Sequence, residues 1–122
     1  MALARVADYF KMLAEVSRLQ ILCALQQGSL NVSEIMAATG MGQANVSKHL
    51  KLLTQAGLVH RHPQGVSVYY EIANPAIFEL CEVVCKQLLV HHAAQSQELE
   101  QLAHLHRPMF RQDAGVPDLP SA

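Results

Sequence analysis

Cys81 and Cys85 are four residues apart in "AIFELCEVVCKQLLV". On a helix that spacing stacks the two thiols on one face, with their Cβ atoms roughly 6 Å apart. Cys23 stands far upstream in "LQILCAL". Such thiols can oxidise, accept a persulfide sulfur, or hold a thiophilic ion such as trivalent arsenic or antimony. Cysteine also packs as a small hydrophobe, and all three lie on apolar stripes where Ala or Val would fit. Three cysteines so spaced do not make a disulfide framework, and a reducing compartment keeps them as thiols. Near Cys85 the cation is Lys86, with the carboxylates Glu79 and Glu82 close by, so its surroundings do little to activate it. His91-His92 and His104-x-His106 present imidazoles that could share a borderline metal between two subunits. At a helix end, histidines are also favourable against the macrodipole and solvated, with no metal involved.

A second set of chemistry-bearing side chains lies in "MGQANVSKHLKLLTQAGLVHRHPQGVSVYYEI", residues 41–72. Gln43 and Asn45 can pair their amides with adenine edges, Ser47 and Lys48 can reach a base or a phosphate, and His49 and Lys51 can touch the backbone. Arg61, His60 and His62 follow in a β-rich run. The candidate DNA-contact set is Gln43, Ala44, Asn45, Ser47, Lys48, His49, Lys51, Arg61 and Gln64. The tip, Gln64-Gly65-Val66-Ser67, carries no Lys or Arg, which implies modest affinity per subunit. An ordinary amphipathic helix with a solvated face would share the polar edge of residues 43–51. The adjoining hairpin is what favours nucleic-acid contact.

These side chains need elements to position them. Leu3, Val6, Tyr9, Phe10 and Leu13 recur at helical spacing, predicting a first helix over 3–14. Leu19, Ile21, Leu22 and Leu25 form a second stripe that ends before Gly28. A short helix follows from Val32 to Thr39, stopped at Gly40. Met41-Gly42 connects it to a helix over 43–56 whose inward residues are Val46, Leu50 and Leu53, with Leu52 at the edge of that face. Gly57 ends it. The runs Leu58 to His62 and Val66 to Ile72 predict a two-stranded hairpin around Pro63-Gln64-Gly65. Asn74 as cap and Pro75 as first residue open a long helix to about residue 104, its stripe being Ile77, Leu80, Cys81, Val84, Cys85 and Leu88.

A short helix, a glycine turn and a second helix with small and amide residues at its start make a helix-turn-helix, and the hairpin directly after it makes a wing. The fold class expected is mainly α (α+β), a winged helix-turn-helix with about five helices and a two-stranded wing. Residues 1–106 form one DNA-binding and dimerisation domain and 107–122 a flexible tail rich in Pro and Gly.

Composition agrees and excludes other classes. Of the 122 residues, 51% are hydrophobic with no Trp, which suits a helical core of Leu, Ile, Val and Ala. No apolar run reaches the roughly 18 residues that span a bilayer, and no signal-type segment opens the chain, so the expected location is cytoplasmic, with no membrane partner. The net charge of −1 gives no global basic signal. Within residues 41–72, however, Lys48, Lys51 and Arg61 stand against Glu71 alone. No Gly-rich phosphate loop or Cys/His pair points to an enzyme, and no cofactor is implied.

"FKMLAEVSRLQILCAL", "VSEIMAATGMGQANVSKHLKLLTQAGLV" and "VYYEI" resemble the ArsR/SmtB family of winged-helix repressors over residues 5 to about 90. The resemblance implies a homodimer paired through its first and last helices, bound to an inverted-repeat operator in double-stranded DNA until an inducer releases it. It also implies two recurrent metal sites to check. The Cys-Val-Cys segment of metal-sensing relatives falls on Asn31-Val32-Ser33, and the Asp-x-His with His-x-x-Glu set falls on Asn74, Ala76, Gln87 and Val90. Neither set supplies zinc ligands, so the metal assignment is none. In such a fold the second helix packs near the last, which makes Cys23, Cys81 and Cys85 the candidate sensor residues. Thiol-responsive relatives are similar in an Ile-Leu-Cys on the second helix, but their last-helix cysteine falls one turn after Cys85, near Leu89. Thiol oxidation or persulfidation, metalloid binding, and a packing role all remain open for these cysteines, as does a protein-interaction module in place of a DNA binder.

Overall fold

The structure, a computed structural model, describes residues 1–91 and residue 102. In chain order it runs α1 (Ala2–Leu13), α2 (Val16–Ala24), a 3-10 turn (Leu25–Gln27), β1 (Leu30–Asn31), α3 (Val32–Thr39), α4 (Gln43–Gln55), β2 (Val59–Gln64), β3 (Ser67–Ile72) and α5 (Ala76–His91). The described residues divide into two units, one over Met1–Asn74 and one that begins at Pro75.

Local chemistry sets the helix limits in the first unit. Glu15 sits in extended conformation at the N-cap of α2, and its Oε1 accepts from the amides of Ser17 (2.7 Å) and Arg18 (3.3 Å). That cap separates α1 from α2. Asn31 and Glu34 form a reciprocal capping box at the start of α3, at 2.8 and 2.9 Å. Gly40 then closes α3 in the left-handed region, φ 77°, with its amide on the Met36 carbonyl. At the end of α4 the amide of Gly57 bonds to the Thr54 carbonyl and that of Leu58 to the Leu53 carbonyl, the paired bonds of a Schellman stop. Gly57 takes φ 81°, which a side chain would strain.

The sheet is larger than the sequence predicts. β3 is central, paired antiparallel with β2 from Val59↔Ile72 to Gln64↔Ser67 and with β1 through Leu30↔Tyr70 and Asn31↔Tyr69. The wing therefore has two strands in a sheet of three. β2 also continues past His62 through Pro63 to Gln64, which moves the turn to Gly65-Val66. Pro63 is tolerated because β2 is an edge strand, where a missing amide donor costs least.

The core of this unit is Leu13, Ile21, Leu22, Leu25, Ile35, Val46, Leu50, Leu53, Leu58 and Val59, all buried. It joins α2, α3 and α4 beneath the sheet. From α1 only Leu13 enters it; Leu3, Val6 and Phe10 of the same predicted stripe are 50–71% exposed. In the second unit α5 buries Ile77, Cys85 and Leu89 rather than the whole predicted stripe, and Val84 and Leu88 are exposed. The expected extension of this helix to residue 104, apart from residue 102, and the tail 107–122 lie outside the described residues.

Leu53 is fully buried where α4 meets the core. Leu53→Ala should cost about 2–5 kcal/mol of unfolding free energy in a urea titration. A loss under about 1 kcal/mol would mean that α4 is not anchored through this side chain.

Candidate nucleic-acid interface

α4 is amphipathic in a way that separates anchoring from contact. Val46, His49, Leu50 and Leu53 are buried, and Gln43, Ala44, Asn45, Ser47, Lys48 and Lys51 are exposed along the opposite edge. Val46 to Leu53 spans two turns of one face, so the exposed set is the other side of the same period. The turn before α4 is braced by Thr39, whose hydroxyl donates to the Ile35 carbonyl at 2.7 Å and accepts from the Met41 amide at 3.3 Å. Gly42, the N-cap of α4, has no side chain to cover the first-turn amides.

On the wing, the register puts His60, His62 and Gln64 on one face with Ser67, Tyr69 and Glu71, and puts Arg61 on the other. His62 Nε2 lies 3.6 Å from Glu71 Oε1. Arg61 and Gln64 are exposed, and Val66 projects fully at the tip. Among the described residues Lys48, Lys51 and Arg61 have no carboxylate partner, which leaves three cations available to an external anion.

His49 corrects the sequence expectation. Its side chain is 5% exposed, and both ring nitrogens face the protein: Nδ1 is 3.5 Å from Arg18 Nη1, and Nε2 is 3.9 Å from Glu15 Oε2. A side chain so placed does not reach a DNA backbone. Arg18 is the hub of this cluster, donating from Nε to the Met12 carbonyl at 2.6 Å and from Nη2 to the Lys11 carbonyl at 3.3 Å. Desolvation pushes the Glu15 carboxyl up, but the backbone amides of Arg18 and Ser17, followed by the neighbouring side chains, outweigh it and hold the group below its ordinary value. Sequence reasoning missed this cluster, whose partners are 31 residues apart.

The cysteines are free thiols, with Cys23 and Cys81 half-buried and Cys85 buried. Burial pushes the Cys23 thiol up. Burial, then the neighbouring Cys81 and Glu82, push that of Cys85 up to about 11. Glu82 is itself 3.5 Å from Lys86, so the nearest cation is spent on a carboxylate. Cys23 belongs to the first unit and Cys81 and Cys85 to the second. Among the described residues no three His, Cys, Asp or Glu side chains are grouped to hold a metal ion. His91 is exposed at the end of α5, and His92, His104 and His106 lie outside the described residues.

The profile of bacterial regulatory proteins of the arsR family matches residues 15–61, which contain the cap of α2, the helix-turn-helix and the start of the wing. NmtR of Mycobacterium tuberculosis, an HTH-type transcriptional regulator, is 37% identical over 81 residues, 66% of this chain and 68% of that protein. The chain belongs to the ArsR family. Another regulator of the same organism, Rv0324, is 37% identical over 100 residues, 80% of this chain and 44% of its own length; the chain thus spans about half the length of that relative. Among solved structures, the solution structure of the homodimeric winged helix-turn-helix DNA-binding domain of Mb0332 from Mycobacterium bovis superimposes with a TM-score of 0.66. It is 40% identical and covers 75% of this chain and 87% of that one. NmtR and Rv0324 carry the name of HTH-type transcriptional regulators, and Mb0332 that of a possible ArsR-family transcriptional regulator. No helix among the described residues is long and apolar enough to cross a membrane.

A thiol titrating near 11 is almost wholly protonated at neutral pH. Iodoacetamide at pH 8 should therefore modify Cys85 at least roughly tenfold more slowly in the folded chain than in urea. Equal rates would show that the thiol is neither buried nor shifted.

Proposed function

We propose that the chain is a homodimeric transcriptional repressor that reads an inverted-repeat operator with α4 and lays its wing along the phosphate backbone. The observation that carries this reading is the exposed edge Gln43 to Lys51 on a helix whose other face is locked into the core. Gln43, Ala44 and Asn45 meet base edges, Ser47 and Lys48 meet a base or a phosphate, and Lys51, Arg61 and Gln64 meet the backbone. His49 is not in this set. Dimerisation gives the exposed Leu3, Val6 and Phe10 of α1 and Val83, Val84, Leu88 and Val90 of α5 a role, since apolar residues clustered on helix faces otherwise lie open to water. Two reading helices then fall one turn of DNA apart, roughly 34 Å.

In fluorescence anisotropy with DNA from upstream of its own coding sequence, Ser47→Ala and Lys48→Ala should each weaken binding. Lys48→Ala should in addition lower the slope of log Kd against log salt by about 0.9 if it loses one phosphate contact. Wild-type affinity in both variants would remove α4 from the interface. A chain that binds no DNA at any salt would be the protein-interaction module instead.

For release from DNA, the reading is that an inducer acts on the cysteines, by oxidation or persulfidation of Cys23, Cys81 or Cys85; trivalent arsenic or antimony on the three thiols is the alternative, for which no grouped ligand set stands among the described residues. The raised Cys85 thiol favours a second reading in which that cysteine is packing only. Operator binding before and after treatment with oxidant, persulfide and arsenite separates them when compared across Cys23→Ser, Cys81→Ser and Cys85→Ser. Oxidant or persulfide release that one substitution abolishes supports thiol chemistry. Arsenite release that all three abolish supports metalloid binding, and no release by any agent assigns the cysteines to the core.

A further inference from the structure

The DNA-reading role leaves the cluster of Glu15, Arg18 and His49 unused. His49 is a buried polar residue on the inner face of α4, behind the exposed edge. Arg18 has only donors, so a hydrogen bond across the 3.5 Å from its Nη1 to Nδ1 requires that ring nitrogen as the acceptor, without a proton. In that tautomer Nε2 carries the ring proton and lies 3.9 Å from Oε2 of Glu15, an acceptor-only carboxylate. That distance is a charge–dipole contact rather than a hydrogen bond. A ring protonated on both nitrogens would set an N–H against the guanidinium N–H.

The same guanidinium is tied to the last turn of α1 through the carbonyls of Lys11 and Met12. Its reach therefore runs from α1 to the reading helix through one side chain. We infer that Arg18 and His49 are positioning residues for DNA reading: Arg18, anchored on α1, holds the neutral His49 ring by Nδ1 and so sets the pose in which α4 presents Gln43 to Lys51. The inference rests on the DNA-reading role proposed above. It adds that the pose of α4 depends on α1, the helix whose Leu3, Val6 and Phe10 are exposed. A shift of α1 would reach the reading edge without any change at a DNA-contacting residue.

The test uses the full chain and a DNA duplex recovered from a random pool by the wild-type protein. Long-range proton–nitrogen NMR of the free protein should find His49 bare at Nδ1 and protonated at Nε2. His49→Leu should bind the duplex roughly tenfold or more weakly, the loss of a hydrogen bond to a charged group. Its salt slope should not change, because no phosphate contact is lost, unlike Lys48→Ala. His49→Asn, whose Oδ1 takes the place of Nδ1, should bind within about threefold of wild type. A proton on Nδ1, wild-type affinity in His49→Leu, a reduced salt slope in that variant, or equal weakness of Asn and Leu would each overturn the inference. Should His49→Leu fail to fold, the tautomer and the Asn variant decide alone. If the wild type recovers no duplex, the DNA-reading role falls, while the tautomer, which needs no DNA, still judges the Arg18–His49 contact.

Discussion

The fold of the first unit depends on burying one face of α4 completely while leaving the other wholly in water. Val46, Leu50 and Leu53 are 0–1% exposed against a core supplied by α2 and α3. Each such side chain contributes about 1.5–3 kcal/mol by removal from water. An isolated helix of 13 residues would be marginal, so this packing is what makes α4 a rigid object. The helix stops serve the same end. Gly40 turns the chain sharply out of α3, and the Schellman bonds at Gly57 and Leu58 release it into the wing at a fixed angle. Rigid presentation of a short polar edge is the physical requirement for reading a groove.

Electrostatics adds to this by local arrangement rather than by total charge. A chain with a net charge of −1 draws no nucleic acid as a whole. Lys48, Lys51 and Arg61 are nonetheless free of carboxylate partners among the described residues, whereas Lys86 on α5 is paired with Glu82. The wing divides its charge by face. Glu71 shares a face with His60 and His62 and lies against His62, while Arg61 sits on the other face. The tip, Gly65-Val66, carries no charge, so in the proposed function the wing offers fewer phosphate contacts and specificity is left mostly to α4.

Much of this was legible in the sequence because it is periodic or punctuated. The limits of α3 and α4, the stop at Gly57 and the existence of the hairpin follow from apolar spacing and glycine positions, and each boundary falls within one or two residues of the structure. β1 was not legible: two residues have no period, and Leu30–Asn31 become a strand only when β3 lies beside them. The hairpin turn was misplaced because Pro63 reads as a turn residue unless its strand is known to be an edge. His49 is the instructive error. It stands three residues after Val46 and four before Leu53, so the period itself places it on the buried face. Its polarity concealed this, and the partner that satisfies it, Arg18, is supplied by a different helix. The exposed edge of α4 could be read as a set, but which polar member is buried with the anchoring face could not.

The proposed function requires the exposed edge of α4 to be the surface that meets DNA. Amide chemical shifts of the nitrogen-15-labelled chain, followed as a duplex selected from a random pool is added, test it most directly. The largest changes should fall between Gln43 and Lys51, with a smaller set from Arg61 to Ser67. Changes confined to α1 or α5, with the amides of α4 unmoved at saturation, would contradict it.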